Sequence, residues 1–263
     1  MTDNLYQMNP QQRFSDRAED YAKYRPSYPS EAIDGILSGL GKEIIAADIG
    51  AGTGISSRLL ADRGVKVIAI EPNAAMKQAA TLHPLVEFKE GNAENSKLGS
   101  NSVDLVTCFQ AFHWFNPEPT LKEFARILKP KGRLAAVWNN RDPERYAERN
   151  RSDEFTAEYT DLTKAISNHQ SELRYGTEKF LRQTSLFSEV TQLTFPYQQS
   201  LDRKGLIGRA MSTSYIPKTG LLKEEFCDRL NQLYDEYCDR DGLVYLHYNT
   251  NVYLTSLLSD TNY

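Results

Sequence analysis

A glycine-rich loop holds the residues of this chain that are best suited to chemistry. Residues 46–54 read Ala-Ala-Asp-Ile-Gly-Ala-Gly-Thr-Gly, between an apolar run at 44–49 and a helical pattern at 55–60. The alternating glycines are Gly50, Gly52 and Gly54. Because glycine has no Cβ, such a loop lets the backbone approach a ligand, and the helix that follows aims its free N–H groups at it. The pattern predicts a cofactor site between a strand and a helix.

A carboxylate at the end of the next apolar run fits the same site. The run at 65–70 ends at Glu71, which lies 21 residues after Gly50. In α/β nucleotide sites, a carboxylate about 20 residues beyond the glycine loop accepts hydrogen bonds from ribose hydroxyls. The spacing therefore predicts that Glu71 holds the ribose of a nucleotide-like cofactor.

The loop departs from the dinucleotide-binding fingerprint. That fingerprint, G-x-G-x-x-G/A, requires a small residue at the position that Ile55 occupies. Asp48 stands before the first glycine, where a carboxylate would repel a pyrophosphate. The pattern instead favours a cofactor with a positively charged amino end. Asp48 would orient that end or the loop; alternatively, it caps the following turn through backbone N–H groups.

The segments DIGAGTG and IEPN resemble the first two motifs of the class I S-adenosylmethionine (SAM) dependent methyltransferases. The resemblance implies that SAM is the cofactor. It also implies a set of cofactor contacts in these two motifs: Asp48, Gly50, Ala51, Gly52, Gly54, Glu71 and Pro72. In this family, a later loop carries Asp-Ala or a similar pair that hydrogen-bonds the adenine. Here that loop contains Asn92, Ala93 and Glu94, and Asn92 keeps an acceptor for the adenine amino group. An ordinary polar turn is the alternative for this loop.

Two further segments resemble the methyltransferase group that contains the yeast trans-aconitate methyltransferase. The first is the N-terminal pattern F-x(3)-A-x(2)-Y-x(2)-Y-R-P-x-Y-P, which covers the cofactor in that group. This implies that Tyr21 and Arg25 lie near the methionine carboxylate. The second is QAFHWF, which is similar to the group's Q-x-x-H-W. It implies that Gln110 lies near the cofactor and that His113 and Trp114 lie in the substrate site.

Methyl transfer from a sulfonium is an in-line displacement, in which the cofactor supplies both the electrophile and the leaving group. The protein has to hold the nucleophile in line and exclude water. A carboxylate acceptor is already ionised and needs only a clamp, for which Arg141 and His113 are the candidate catalytic residues. A phenol or amine acceptor would need a base, and His113 is the candidate. Further substrate contacts are expected at Trp114, Trp138 and Tyr215.

The hydrophobic pattern predicts an α/β fold. Apolar strands are expected at 44–49, 65–70, 85–88, 103–108 and 133–138, followed by an antiparallel pair at 190–197 and about 249–257. By resemblance, this is a Rossmann-like class I methyltransferase sheet, mostly parallel with a terminal antiparallel strand, and with a helical cap over the carboxyl ends of the strands. Residues 1–142 would form the lid helices and the SAM-binding core. Residues 143–263 would form the helical cap, the substrate region and the last two strands.

Composition narrows the classes of partner. The chain has 263 residues, a net charge of −4 and a pI of about 5.7, so no basic field favours nucleic acid. We find neither a signal-peptide core nor an apolar run near the ~18–20 residues that span a bilayer. Three cysteines without metal spacing fit a reducing compartment. We therefore expect a cytoplasmic monomer or homodimer with a small-molecule substrate, and without metal, membrane or nucleic acid.

The favoured function is O-methylation of a carboxylic acid, with a phenol, amine or carbon acceptor as the alternative. Ile55 argues against an NAD(P)-dependent oxidoreductase. The acidic balance argues against an RNA methyltransferase. No Asn/Asp-Pro-Pro-Tyr/Phe element supports amino-group methylation of nucleic acids. A non-catalytic SAM-binding protein would keep the same cofactor motifs, so the sequence leaves that alternative open.

Overall fold

The computed structural model describes residues 5–7, 14–141, 150–167 and 175–258. The helices are α1 (Ala18–Tyr24), α2 (Ser30–Leu37), α3 (Ile55–Ala61), α4 (Ala74–Gln78), α5 (Pro117–Ile127), α6 (Arg151–Ile166), α7 (Lys179–Gln183), α8 (Arg203–Met211) and α9 (Leu221–Tyr237). The strands are β1 (Ile45–Ile49), β2 (Lys66–Ile70), β3 (Val86–Lys89), β4 (Val103–Phe109), β5 (Leu128–Asn140), β6 (Thr191–Leu201) and β7 (Val244–Ser256).

The strands named above form one sheet in the order β3-β2-β1-β4-β5-β7-β6. Strands β1 to β5 pair in parallel, whereas β7 runs antiparallel to both β5 and β6. This confirms the predicted Rossmann-like sheet, mostly parallel with an antiparallel strand near its end. The chain order reverses between β1 and β4, and in open α/β sheets ligands bind outside the carboxyl ends of the strands at such a switch point.

Both faces of the central parallel strands β1 and β4 are buried, which explains their nearly continuous apolar sequence. In β1, Ala46 packs in a cluster with Ile33 of α2 on one face of the sheet. Its neighbour Ala47 packs in a cluster with Phe124 of α5 on the other face. Successive side chains of a strand point to opposite faces, so this alternation fixes the register of β1 between two helical layers.

The helices of the second half form a third cluster beyond the parallel strands. Phe155 of α6, Leu206 of α8 and Leu230 of α9 pack with Leu246 of β7. Since β7 is antiparallel to β5 and its pairing with β5 begins at Asn249, Leu246 lies beyond the carboxyl end of β5. These helices therefore cap that end of the sheet, as predicted. The proposed division at 142/143 lies outside the described residues and stays a prediction.

The last two strands are longer than the sequence pattern predicts. The register pairs Tyr197 with Tyr248 and continues to Leu201 with Val244, where the two strands extend past the rest of the sheet. The cap helices α6, α8 and α9 pack against this extension. Among the described residues, no helix has the length and apolar character that crossing a bilayer requires, and α9, the longest, has 17 residues.

Candidate active site

The glycine loop has a backbone that only glycine adopts without strain. The φ angles of Gly50, Gly52 and Gly54 are 70°, 59° and 74°, in the left-handed region. A Cβ on Gly50 would lie 2.8 Å from the Cβ of Ala111, and one on Gly54 would lie 2.9 Å from Phe88. The loop thus turns sharply between β1 and α3 and brings bare backbone to the carboxyl end of the sheet.

Glu71, at the carboxyl end of β2, is bonded to this loop. One of its carboxylate oxygens accepts the Gly52 N–H at 2.8 Å, and the other accepts the Asn73 N–H at 2.8 Å. Burial raises the pKa of Glu71 above its ordinary value, although these two N–H bonds oppose the shift. Each carboxylate oxygen can accept more than one hydrogen bond, so Glu71 can also receive hydroxyl groups of a ligand in the adjoining cavity.

Asp48 lies beneath the loop rather than in the cavity. Its side chain accepts hydrogen bonds from Ser56 Oγ at 2.7 Å, Ser57 Oγ at 2.6 Å and Thr107 Oγ1 at 2.9 Å. These three hydroxyls tie the start of α3 to β1 and β4. The placement favours a role in orienting the loop through side chains, instead of backbone capping. A direct contact between Asp48 and a cofactor stays a prediction.

Replacing Asp48 by asparagine is expected to change how stability depends on pH. Burial raises the pKa of the Asp48 carboxyl above its ordinary 3.8, although the hydroxyls of Ser57, Ser56 and Thr107 oppose the shift. A raised folded-state pKa means that folding favours the protonated form, and this stabilisation is lost as pH rises through that pKa. The wild type should therefore lose stability relative to Asp48→Asn as pH rises from about 4. Urea unfolding checks this, and a free-energy difference independent of pH would contradict it.

A cavity of about 390 Å³ opens at the carboxyl ends of β1, β2 and β4. Nine of the predicted cofactor residues line it: Tyr21, Gly50, Gly52, Glu71, Pro72, Asn92, Ala93, Glu94 and Gln110. Of the others, Arg25 and Ala51 line a small adjoining cavity of about 30 Å³. The structure thus brings most of these residues together around one space, although they come from five separate sequence segments.

The cavity also has lining residues that sequence analysis missed. These are Tyr6, Gln7, Phe14, Asn73, Met76, Phe109, Ala111 and Phe115. Asn73 and Ala111 belong to the IEPN and QAFHWF segments, so their position in the motifs was a usable signal. Met76 lies on α4, whose start Asn73 caps by accepting the N–H groups of Ala75 and Met76. No pattern marked Tyr6 and Gln7.

The side chains of the loop after β3 are hydrogen-bonded within the loop and to the start of α5. Asn92 Oδ1 accepts the Asn95 N–H at 2.7 Å, and Glu94 Oε1 accepts the Asn116 N–H at 2.9 Å. Both side chains line the cavity, so a ligand amino group would share the Asn92 oxygen with Asn95. The adenine contact predicted for Asn92 stays a prediction on this geometry.

The N-terminal segment crosses over the cavity and is tied to the cap. The Phe14 and Tyr21 rings meet edge to face at 5.8 Å, and the Arg25 guanidinium lies 4.6 Å from the Tyr21 ring centroid. Arg25 also donates to the Ser212 carbonyl at 3.0 Å. Arg17 donates to the carbonyl oxygens of Met211, Thr213 and Ile216, at 2.6–2.7 Å. These bonds hold α1 against the loop that follows α8.

A second cavity, of about 80 Å³, adjoins the first beneath the cap. Phe14, Tyr21, Gln110 and Trp114 line both cavities, so these side chains form the boundary between them. Trp114 stacks on Tyr215 with ring centroids 6.2 Å apart and planes 22° apart. Four of the predicted substrate residues line the second cavity: His113, Trp114, Arg141 and Tyr215.

A hydrogen bond from Trp138 fixes the orientation of the His113 ring. The Trp138 indole N–H donates to His113 Nδ1 at 3.1 Å, and His113 is only 8% exposed. An indole N–H can only donate, so Nδ1 acts as the acceptor and a neutral ring carries its proton on Nε2. This geometry favours His113 as a hydrogen-bond donor over a base. Trp138, predicted to contact substrate, is buried and contacts His113.

The second cavity is lined by basic side chains. Arg141 lies with its guanidinium carbon 4.8 Å from the Tyr159 ring centroid and donates to Thr163 Oγ1 at 3.2 Å. Arg25, Lys164 and Arg209 line the same cavity, and none of its described lining residues is acidic. Lys164 and Arg209 were not predicted to lie at the site, because they belong to helical patterns that carry no motif. The cavity is therefore suited to a negatively charged ligand.

Comparisons with known proteins point to the same region of the chain. The family profile described as a methyltransferase domain matches residues 47–136. An uncharacterized methyltransferase of Mycobacterium bovis is 44% identical over 124 residues, which are 46% of this chain and 50% of that protein. The ubiquinone biosynthesis O-methyltransferase of Stutzerimonas stutzeri is 31% identical over 144 residues, 51% of this chain and 61% of that protein. The chain spans about half the length of the first of these relatives.

Solved structures share the fold over most of the chain. The crystal structure of a candidate methyltransferase from an antibiotic biosynthesis pathway of Anabaena variabilis has a TM-score of 0.61 at 25% identity. The alignment covers 85% of this chain and 95% of that one. A candidate type II methyltransferase of Anaeromyxobacter dehalogenans has a TM-score of 0.64 at 20% identity, covering 89% of this chain and 99% of that one. The second likeness shows the fold alone.

Proposed function

Since the chain contains a class I methyltransferase domain whose cofactor is S-adenosylmethionine, we propose that the protein methylates a carboxylate oxygen of a small molecule. The observation that carries this proposal is the basic second cavity beside the larger cavity at the glycine loop. Gln110 and Trp114 line both cavities. In this proposal the methyl group passes from the larger cavity to the second cavity beside these two side chains.

The larger cavity suits SAM in size and in the groups that line it. Its volume of about 390 Å³ lies within the ~300–1,000 Å³ usual for small-molecule sites. In this proposal Glu71 holds the ribose and the loop of Asn92 and Ala93 meets the adenine. Tyr21 and Arg25 close over the methionine end. The glycine loop lies beneath the cofactor in this proposal. Gly50, Gly52 and Gly54 have no Cβ atom that would block the approach of the cofactor.

The second cavity suits the acceptor. Bound SAM supplies the electrophilic methyl group and the leaving group. Arg141 would clamp the acceptor carboxylate, since a guanidinium fork binds two carboxylate oxygens with good geometry. His113 would donate from Nε2, since its Nδ1 accepts from Trp138. Trp114 and Tyr215 would exclude water from the path of the methyl group.

A carboxylate acceptor agrees with the chemistry of this lining better than a phenol or amine does. A carboxylic acid is already ionised at neutral pH, so no base is needed. A phenol or ammonium acceptor would have to lose a proton, and the Nδ1 lone pair of His113 is engaged. One relative is named an O-methyltransferase, which also supports an oxygen acceptor. The volume of about 80 Å³ favours a small molecule.

The test is product analysis with SAM labelled at its methyl group. The protein is incubated with separate panels of carboxylic acids, phenols and amines. We expect label in a methyl ester from at least one acid, which mild base releases as methanol, whereas methyl ethers and methylamines keep the label. Methylated phenols or amines without any methyl ester would contradict the carboxylate acceptor. An Arg151→Ala variant, altered at an exposed arginine on α6, serves as the control and should retain activity.

A further inference from the structure

Arg17 joins the N-terminal segment to the end of helix α8. Its side chain is 7% exposed, Nη1 donates to the carbonyl oxygens of Met211 and Thr213 at 2.7 Å, and Nη2 donates to that of Ile216 at 2.6 Å. Met211 is the last residue of α8, where backbone carbonyls lack intrahelical partners and the helix dipole favours a cation. One buried guanidinium therefore fixes residues 212–216, which we call the cap loop.

A close contact of α1 with α8 strengthens the attachment of residues 14–25, which we call the lid segment. The Tyr24 ring lies so near to Gly208 that a Cβ there would overlap two atoms of the ring. Glycine is unfavourable inside a helix, so Gly208 indicates that α8 needs its bare backbone at this contact. Gln199 of β6 also donates to the Tyr24 carbonyl oxygen at 2.9 Å. The lid segment is thus fixed to the cap region at both ends of α1.

The lid segment and the cap loop line the cavities differently. Phe14 and Tyr21 of the lid segment line both cavities, whereas Tyr215 and its two neighbours in the cap loop line the second. Among the described residues that line the larger cavity, none belongs to the cap loop. A cofactor in the larger cavity therefore has two routes to the cap loop. One runs through the lid segment and Arg17, and the other through Trp114, which stacks on Tyr215.

We propose that Arg17 is a positioning residue, which makes the lid segment and the cap loop open and close as one unit. Binding of the cofactor against Phe14 and Tyr21 would then order the cap loop as well, because a ligand that stabilises part of a cooperative unit stabilises the whole unit. The wall of the second cavity would be complete only with the cofactor bound, so the acceptor would bind after the cofactor. The inference rests on the proposed function in one respect, namely that the cofactor occupies the larger cavity.

The direct test is amide hydrogen exchange of the full chain, measured by mass spectrometry with and without saturating S-adenosylhomocysteine. We expect this ligand to slow exchange about tenfold or more in the glycine loop at 50–54, in the lid segment and in the cap loop. Slower exchange in the glycine loop and the lid segment, without any change in the cap loop, would overturn this inference alone. Unchanged exchange in the glycine loop would overturn it together with the cofactor site on which it rests.

An Arg17→Gln variant distinguishes the two routes. Glutamine lacks the charged fork, so the ligand should change cap-loop exchange by less than about twofold, while it slows exchange in the glycine loop as in the wild type. A merely structural arginine would instead speed cap-loop exchange by the same factor with and without ligand, and the ligand-induced ratio would keep its wild-type value. That result would overturn the proposal and assign the coupling to Trp114 and Tyr215.

Arg133→Gln is the matched control. Arg133 donates to the carbonyl oxygens of Ile36 and Ser38 at 2.6 and 2.8 Å, so it makes the same kind of bond as Arg17. It belongs to the lining of neither cavity. The ligand should therefore slow cap-loop exchange in Arg133→Gln as much as in the wild type, and loss of this response would overturn the assignment to Arg17.

A Gly208→Ala variant tests the same unit without altering Arg17, and it keeps the proposal testable if Arg17→Gln does not fold. The added methyl group has to displace the Tyr24 ring, so the ligand responses of the lid segment and the cap loop should change in parallel. Gly41→Ala, where a Cβ meets nothing within 4 Å, is its control. A weakened response in the lid segment beside a wild-type response in the cap loop would overturn the proposal. Coupled responses without any methyl ester would refute the proposed function and leave this inference standing.

Discussion

Replacing Arg141 by alanine is expected to lower kcat/KM for the acceptor by about 100-fold and to leave the affinity for SAM unchanged. Removing one partner of a desolvated charge pair costs about 2–5 kcal/mol, and a 100-fold loss lies within that range. Arg141 lines the second cavity, and its position over the Tyr159 ring and against Thr163 Oγ1 fixes its guanidinium. A fixed clamp contributes through orientation of the nucleophile, so most of the loss should appear in turnover.

The control for Arg141 is Arg151. Its guanidinium carbon lies 5.3 Å from the Tyr237 ring centroid, so it makes the same kind of contact as Arg141, but on the exposed surface. Arg151→Ala removes a charge and a ring contact without touching either cavity, and it should keep wild-type kinetics. Steady-state assays with the labelled cofactor measure both variants, and calorimetry measures SAM affinity. Equal kinetics in the two variants would remove Arg141 from the catalytic clamp.

Replacing Glu71 by alanine is expected to weaken SAM binding by about 10- to 150-fold. Hydrogen bonds to a charged group contribute about 1.5–3 kcal/mol, which corresponds to that range. The variant also removes the acceptors of the Gly52 and Asn73 N–H groups, so the glycine loop loses part of its support. Glu71→Gln keeps one acceptor oxygen and should show an intermediate loss.

The pH dependence of SAM affinity provides an independent check on Glu71. Burial raises the pKa of Glu71 above its ordinary 4.5. An ionised carboxylate accepts from ribose hydroxyls through both oxygens, so SAM affinity should fall as pH decreases through the raised pKa. Glu71→Gln should lack this dependence. The control is Glu87→Ala on β3, whose carboxylate is 67% exposed, and it should bind like the wild type. Unchanged affinity in folded Glu71→Ala would remove Glu71 from the cofactor site.

The parallel core was predictable because its signals are local. The apolar runs of β1 and β4, the glycine loop and the acid after β2 each follow from a few neighbouring residues, and the sheet order confirms the fold that they predict. The extension of β6 and β7 was not predictable. Tyr197 to Leu201 pair with Val244 to Tyr248 because the cap helices pack there, and that packing is not visible in either strand's own pattern.

In the candidate site, too, some residues follow from local sequence patterns and others depend on long-range packing. Motif residues such as Gly52 and Glu71 lie on one cavity, as their spacing predicted. The link between Trp138 and His113 joins residues 25 positions apart on neighbouring elements, so no local pattern reveals it. Arg209 lies in an ordinary helical pattern, and only the fold buries it beside Tyr248 of β7. Long-range packing therefore fixes the placement of residues that no local pattern reveals.

The measurement that tests the cofactor site most directly is calorimetric titration of the purified protein with SAM, S-adenosylhomocysteine and NADH, side by side. The geometry of the glycine loop and Glu71 predicts micromolar binding of the first two and no binding of NADH. Loss of SAM binding in Glu71→Ala, but not in Glu87→Ala, would place the cofactor in the larger cavity. Binding of NADH alone would contradict this cofactor site and would move the proposed function to redox chemistry.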